Sequence, residues 1–464
     1  MSFRYTHSWR MGTDFGVSQS ADSGDSSGGT KSKEAPFKAL LTAPLKAPFT
    51  GAGRRILLYS HDTLGLGHLR RCGKISRALK HAYPDLSITI ITGSPDPRPS
   101  SLPDGVDLVM LPPVRKLDDE EYVSRDPDIP FENTLAKRSQ LILDAVMDFK
   151  PHLILVDHAP LGMKGEMRPT FDWLAAHAPD ARVALGLRDI LDDPARVRDN
   201  WRRQGVYDAL EKVYHRIIIY GDPEVFDPVG EYAFPESVRA KTSFCHFVSD
   251  VGPDADGAAN HNATRNGHPQ RSGSDRSSVV VTIGGGDYYG REVIGTYLEM
   301  LAQYRRRVSF DSVVIAGPLM DPALLDELQR KAMSLPVTLR KSEPDMEALF
   351  RQSDLLIATG GYNTSIEALA HANRAIIIPR VTMRLEQIMR AERFASLGLL
   401  DALPPDQLTT RRLFDLITER LEQPEAPLAL ARERQTLKLD GAERAAEICG
   451  EILRRAPQSQ EVRG

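Results

Sequence analysis

The residues with the clearest capacity for chemistry lie just past apolar runs. Asp354 to Arg393 holds one such set. Leu355 to Ala358 is apolar and runs into Gly360 and Gly361. Asn363-Thr364-Ser365 follow and can cap the next helix, and Ala375 to Ile378 is a second apolar run. That order reads as a βαβ unit whose strands are buried on both faces. The glycines let backbone approach a ligand, and the free N–H groups of the following helix attract an anion. Glu367 falls about one turn inside that helix, where a carboxylate can accept hydrogen bonds from a ribose diol. The set suits a nucleoside diphosphate. An ordinary βαβ crossover with a glycine-rich turn fits the same local pattern.

A second set stands near the start of the apolar sequence. Arg54 to Ser60 reads as a strand, His61-Asp-Thr-Leu-Gly-Leu-Gly-His68 follows, and Leu69 to Leu79 has helical apolar spacing. A P-loop needs a glycine where His68 stands, so that reading is excluded. A dinucleotide fingerprint fits poorly, because the next strand, Ser87 to Thr92, ends at Gly93 without a ribose-binding acid. What remains is a glycine loop, Gly65 and Gly67, that ends in a histidine at a helix start. The helix dipole favours a neutral imidazole there, able to accept a proton. His68 is therefore the candidate general base, and Asp62 in the same loop is a second catalytic candidate. A helix-capping histidine is the plain alternative.

The elements that must position these residues recur along the chain. Val106–Leu111, Leu153–Val156, Val183–Leu187 and Ile217–Tyr220 read as strands. Helical segments fall at Glu132–Phe149, Met167–Ala178 and Arg196–Tyr214. The alternation predicts a doubly wound parallel α/β sheet, with binding residues just past the carboxyl ends of strands. Asp157-His158 and Arg188-Asp189 are the best placed to line an acceptor cleft; turn chemistry explains the same residue types. A second α/β unit starts at Ser278, with Gly284-Gly285-Gly286-Asp287 after its first strand. Two units of similar design predict two domains facing across a cleft.

Residues 1–52 are rich in Ser, Gly, Asp and Lys and predict a disordered tail. Residues 250–278 are nearly free of apolar side chains and read as a flexible insertion or linker; His261 and His268 make a weak case for a metal tract. The expected domains are therefore 53–249 and 279–440, with a closing helix and tail at 441–464. A net charge of −4 over 464 residues gives no field that would draw nucleic acid. The three cysteines, Cys72, Cys245 and Cys449, are scattered and suit a reducing compartment. With no apolar stretch of spanning length and no secretion-type N-terminus, the expected location is cytoplasmic, a peripheral contact at the inner membrane staying open.

On these motifs the chain resembles glycosyltransferases of the GT-B architecture, of the kind represented by MurG, the peptidoglycan GlcNAc transferase. The likeness runs from about Arg54 to Leu453 and is strongest in the C-terminal half. It implies two Rossmann-like domains facing across a cleft. Gly65-Leu-Gly67-His68 matches the family's first loop, whose histidine is a proposed base. Gly284-Gly285-Gly286 matches the loop that approaches the diphosphate, with Asp287 beside it. Glu367 falls on the ribose-binding glutamate of the Gly361–Glu367 helix. The family's Gln-Gln pair and Asn, which touch the donor sugar, correspond to Glu386, Gln387 and Arg390, and only Gln387 is retained. Arg380, Arg384 and Arg390 can supply a phosphate-pairing charge. Leu64 to Cys72 also resembles the loop of a related sugar-nucleotide hydrolase.

The resemblance implies an inverting, metal-independent transferase that moves a sugar, GlcNAc as the lead, from a UDP-sugar to an unknown acceptor. No cofactor is expected, and the acceptor can be a glycan, lipid or small molecule. The alternatives are a nucleotide-sugar hydrolase or epimerase of the same fold, and a nucleotide-sugar-binding protein without turnover.

Overall fold

The computed structural model describes residues 50–62, 67–94, 102–117, 121–249, 276–285, 289–382 and 384–456. The expected tail up to residue 49, most of the 250–278 segment, and Gly65, Gly286 and Asp287 lie outside the described residues.

The first sheet begins with β1 (Arg55–Ser60), α1 (Gly67–Ala82), β2 (Ser87–Thr92) and β3 (Val106–Met110). A small antiparallel ribbon, β4 (Val114–Lys116) and β5 (Tyr122–Ser124), leads into α2 (Phe131–Phe149). Next come β6 (Leu153–Asp157), α3 (Arg168–His177), β7 (Arg182–Arg188), α4 (Pro194–Gln204), α5 (Val206–Lys212) and β8 (Arg216–Tyr220). Two four-residue helices, α6 (Pro228–Glu231) and α7 (Glu236–Arg239), precede the edge strand β9 (Thr242–Phe244). The strands lie parallel in the order β3-β2-β1-β6-β7-β8-β9. The order reverses between β1 and β6, which opens a crevice at their carboxyl ends. His68 follows β1 and Asp157 ends β6, so the topology itself brings them together.

The second sheet starts with β10 (Ser277–Thr282), α8 (Tyr289–Gln303), β11 (Phe310–Ile315), α9 (Pro322–Ala332) and β12 (Val337–Arg340). It continues through α10 (Met346–Gln352), β13 (Leu355–Ala358), α11 (Tyr362–His371), β14 (Ala375–Ile377), α12 (Glu386–Ser396) and β15 (Asp401–Ala402). Its order is β12-β11-β10-β13-β14-β15, with the same reversal between β10 and β13. That crevice is flanked by Gly284-Gly285 and Gly360-Gly361. Every residue of β13 is buried, as strands covered by helices on both faces require. α13 (Thr410–Glu422) and α14 (Pro427–Glu433) cover the second sheet's side of the molecule. The last helix, α15 (Gly441–Arg455), returns to pack on α1; a Cβ at Gly450 would collide with Tyr83, so glycine is what lets the helix approach.

Three local expectations need correction. The single helix expected over Arg196–Tyr214 is two, because Gly205 takes φ +69 and closes α4 as a left-handed C-cap. Asn363-Thr364-Ser365 does not cap α11; Gly361 holds the N-cap position, and the polar cluster lies inside the first turn. β10 begins at Ser277, so the expected insertion ends two residues too late.

The two sheets are joined through buried side chains. Arg390 of α12 is wholly enclosed. Its Nε and Nη2 donate to the two carboxylate oxygens of Asp189, each at 2.9 Å. Nη1 reaches Glu386 at 2.7 Å and the Gly360 carbonyl at 3.2 Å, and Nη2 also reaches the Ile190 carbonyl at 3.3 Å. All five N–H groups of the guanidinium are thus engaged. Tyr362 of α11 lies between Arg390, 5.5 Å from its ring centre, and Arg71 of α1, 5.4 Å from it. Its hydroxyl donates to the Tyr220 carbonyl at 3.1 Å. Arg390→Met should lower stability in urea denaturation by about 3–5 kcal/mol, because Asp189 and Glu386 are left charged and buried. A loss under 1 kcal/mol would remove Arg390 as the tie.

Candidate active site

His68 is the second residue of α1, and its side chain is 20% exposed at the crevice. Its Nδ1 lies 2.6 Å from Asp157 Oδ2. Arg71 grips the same carboxylate, Nε to Oδ1 at 2.9 Å and Nη2 to Oδ2 at 2.7 Å. Arg71 Nη2 also lies 2.9 Å from Nδ1, but the shorter contact is to a carboxylate, which can only accept; it places the Nδ1 proton toward Asp157 and leaves Nε2 its lone pair. Burial works against charge on Asp157, but Arg71 and His68 outweigh it and hold the carboxyl far below its usual range. Burial lowers His68 from the ordinary histidine value, and Asp157 opposes that in part. The pair is an oriented, neutral imidazole of the kind a general base requires.

Two more histidines crowd this point. The His61 ring centre is 5.6 Å from that of His68, and His158 is 5.0 Å from it. Burial and the neighbouring charges push both well below the usual histidine value. His158 takes φ +69, a left-handed conformation that turns the chain sharply away from β6. Its Nε2 is 3.5 Å from Arg188 Nη2, while its buried Nδ1 has no partner among the described residues. Arg188 ends β7, lies 3.8 Å from Glu386 and leaves its own Nε unpartnered. Burial lowers its pKa, and Arg71, Arg390 and Arg384 add to that, with Glu386 opposing. The result is a cation short of negative charge beside three neutral imidazoles.

The second sheet brings its loops to the same place. Asn363 Nδ2 donates to the Gly67 carbonyl at 2.8 Å, which sets the first turn of α11 against the start of α1. Gly284, at φ +69, turns the β10 loop so that a Cβ there would sit 3.5 Å from Thr364 Oγ1. Gly360 packs against α12, where a Cβ would stand 3.1 Å from Gln387 Cβ. Glu367 is partly exposed, and its Oε1 lies 3.4 Å from Lys74 Nζ of α1. Two helix N-termini and two glycine turns therefore converge opposite His68, an arrangement suited to a diphosphate.

Several sequence-derived assignments change. Asp62 is no catalytic acid: it is buried and accepts from Ser60 Oγ and Thr92 Oγ1, each at 2.6 Å, and from the Leu69 amide at 3.2 Å, which fastens the start of α1. Asp157 does not line an acceptor wall; it lies 1% exposed behind His68. Asp189 is sealed beneath Arg390. Arg390 and Glu386 are consumed in the domain tie, so neither offers its charge to a ligand directly. Gln387 is buried, and its Oε1 accepts the Arg380 amide at 3.0 Å. The roles of Arg71, Tyr362 and Lys74 escaped the sequence reading, although Arg71 stands in the Leu64–Cys72 loop and Tyr362 directly follows Gly360-Gly361.

Residues 317–447 match the Glycosyltransferase family 28 C-terminal domain. An uncharacterized glycosyltransferase of Methanopyrus kandleri is 27% identical over 179 residues, which is 39% of this chain and 46% of that protein. The chain thus aligns with about half the length of that relative. Among solved structures, the glycosyltransferase VinC in complex with dTDP superposes with a TM-score of 0.54 at 17% identity, covering 87% of this chain and 99% of that one. MurG of Acinetobacter baumannii superposes with 0.51 at 11% identity, covering 87% and 99%. The architecture is GT-B, and the stretch similar to the glycosyltransferase family model falls in the C-terminal part of the second sheet. The likeness extends equally to other GT-B transferases, so it does not single out MurG.

The three histidines carry a pH dependence. The fold keeps them neutral below the value at which unfolded histidine protonates, about 6.5. The unfolded chain then binds more protons, so their contribution is complete above that pH and is lost as pH falls through it. The melting temperature should drop between pH 7 and 5, and less steeply in His158→Asn, whose asparagine tolerates the left-handed backbone. Parallel curves for the two proteins would remove His158 from that linkage.

Proposed function

We propose that the protein is an inverting glycosyltransferase that carries a sugar from a UDP-sugar to an acceptor hydroxyl. The observation that carries this reading is the His68–Asp157 pair standing opposite the glycine turns of the second sheet. His68 Nε2 takes the acceptor O–H proton as the acceptor oxygen bonds to the anomeric carbon. The bond from that carbon to the UDP oxygen breaks, and the diphosphate leaves with the electron pair. Arg188, Arg384, loop N–H groups and the N-termini of α1 and α11 stabilise that charge. The reading calls for no metal or cofactor. Glu367 binds the ribose diol, for which Lys74 is the stand-in partner before the nucleotide arrives. GlcNAc is the lead sugar on the family resemblance alone, since of the family's three sugar-contacting positions only Gln387 keeps its residue type.

The test is UDP release from a panel of UDP-sugars, with and without cell extract as acceptor source. Extract-dependent release is the expected result. Release independent of extract would point to the hydrolase, and no turnover with any donor would leave only a binding protein. His68→Ala should cut turnover by about 10²-fold or more while donor binding persists. Its wild-type counterpart should retain kcat/KM below the ordinary histidine pKa, in keeping with the lowered value. Glu367→Ala should weaken UDP binding in calorimetry. Unchanged affinity would remove the ribose assignment.

A further inference from the structure

Beside the histidines the first sheet carries a cleft of about 560 Å³. His61 and His158 form its inner end, and the loop after β6 and the last turn of α4 form its walls. Four cationic side chains line it: Lys164, Arg168, Arg203 and Arg384. Asp192 is the one carboxylate among the described lining residues, and that group already accepts the Leu385 amide at 2.8 Å and Arg196 at 3.3 Å. Leu161, Trp201 and Val206 add an apolar floor.

The loop that carries Lys164 is held rigidly. Glu166 at its end is buried, with Arg138 gripping it at 2.7 and 2.9 Å and the Tyr59 hydroxyl at 2.6 Å. Lys164 takes φ 49, an uncommon backbone for a residue with a side chain, and its ammonium lies 5.8 Å from the centre of the Tyr122 ring. Lys164 on this loop, Arg168 at the start of α3, Arg203 near the end of α4 and Arg384 before α12 bring positive charge together over an apolar floor, which suits an anionic ligand; Arg168 also donates to the Gln204 carbonyl and Arg203 to Asn200 Oδ1. His158 adds an independent indication. If Arg188 donates to its Nε2, its tautomer places a proton on Nδ1, and that buried N–H has no partner in the described residues. Such a donor suits an anionic oxygen.

We propose that the acceptor is an anion: a hydroxyl compound whose phosphate or carboxylate sits among Lys164, Arg168 and Arg203 while its hydroxyl reaches His68. The assignment of this ligand as acceptor rests on the transferase reading; the anion seat itself does not. The charge would hold the acceptor in register with the base, at a position the donor nucleotide does not occupy.

Calorimetry with octyl phosphate and octyl β-glucoside, both below micelle formation, tests the seat. Octyl phosphate should bind about tenfold or more tightly, with affinity that falls as salt rises. The Lys164→Gln, Arg203→Gln double variant should lose about tenfold of that affinity. Inorganic phosphate run in parallel separates two sources of the same chemistry: binding by both probes indicates a soluble phosphorylated acceptor, and binding by octyl phosphate alone an amphiphilic one. Equal affinity for the two octyl compounds, or a double variant that binds like the wild type, would overturn the proposal. The rise in melting temperature with UDP is a separate readout. Its presence in the variant shows that the protein is folded, and its absence in the wild type would defeat the donor reading while leaving the anion result standing.

Discussion

The relation between the two sheets depends on one buried guanidinium. Arg390 belongs to the second sheet, yet two of its N–H groups grip both oxygens of Asp189, just past β7. Removing three charges from water costs far more than a surface pair would return, and only complete pairing offsets it. The geometry is correspondingly complete, with the Gly360 carbonyl included in the set. Gly360 belongs to the turn that faces the proposed diphosphate. The contact that orients the domains therefore also shapes the nucleotide loop, and Tyr362 extends it to Arg71 and the carboxylate behind His68.

The same chain of charges explains the state of the histidines. A buried imidazole surrounded by arginines stays neutral, because protonation would add one more cation to an enclosed positive field. His61 and His158 are held that way by burial first; next comes His68 for His61, and Arg188 for His158. Asp157 opposes the lowering at both His61 and His68, while Arg71, which grips the same carboxylate, adds to it at His68. The proposed transfer places opposite demands on one small volume: positive charge near a leaving diphosphate and a neutral base beside it. The fold meets both by giving each cation a different degree of compensation: Arg71 and Arg390 are paired in full, whereas Arg188 is paired only in part.

Much of the scaffold was legible in the sequence. Buried parallel strands are short apolar runs, and β1, β6, β8, β10 and β13 fall where those runs lie. Glycines and a histidine at strand ends marked the two crevices, because switch-point loops favour these residue types. The partners of those residues were not legible. Asp157 lies 89 positions from His68, and Asp189 lies 201 positions from Arg390. A lone Asp or Arg after a strand looks the same whether it binds a ligand, closes a turn or ties two domains. Asp62, Asp189 and Arg390 changed roles for that reason. Gly205 divided a helix because a single left-handed residue stops α4 in a segment whose apolar spacing continues past it.

The end of the chain completes its beginning. α15 carries Ala445, Cys449 and Leu453 into the same apolar cluster as Leu69, Ile75 and Leu79 of α1. During synthesis, the first sheet emerges roughly two hundred residues before the helix that covers it, and nascent domains begin to fold as they appear. Until α15 is made, the outer face of α1 is uncovered apolar surface. The first domain is thus finished last, and a fragment ending after β9 lacks part of its own core.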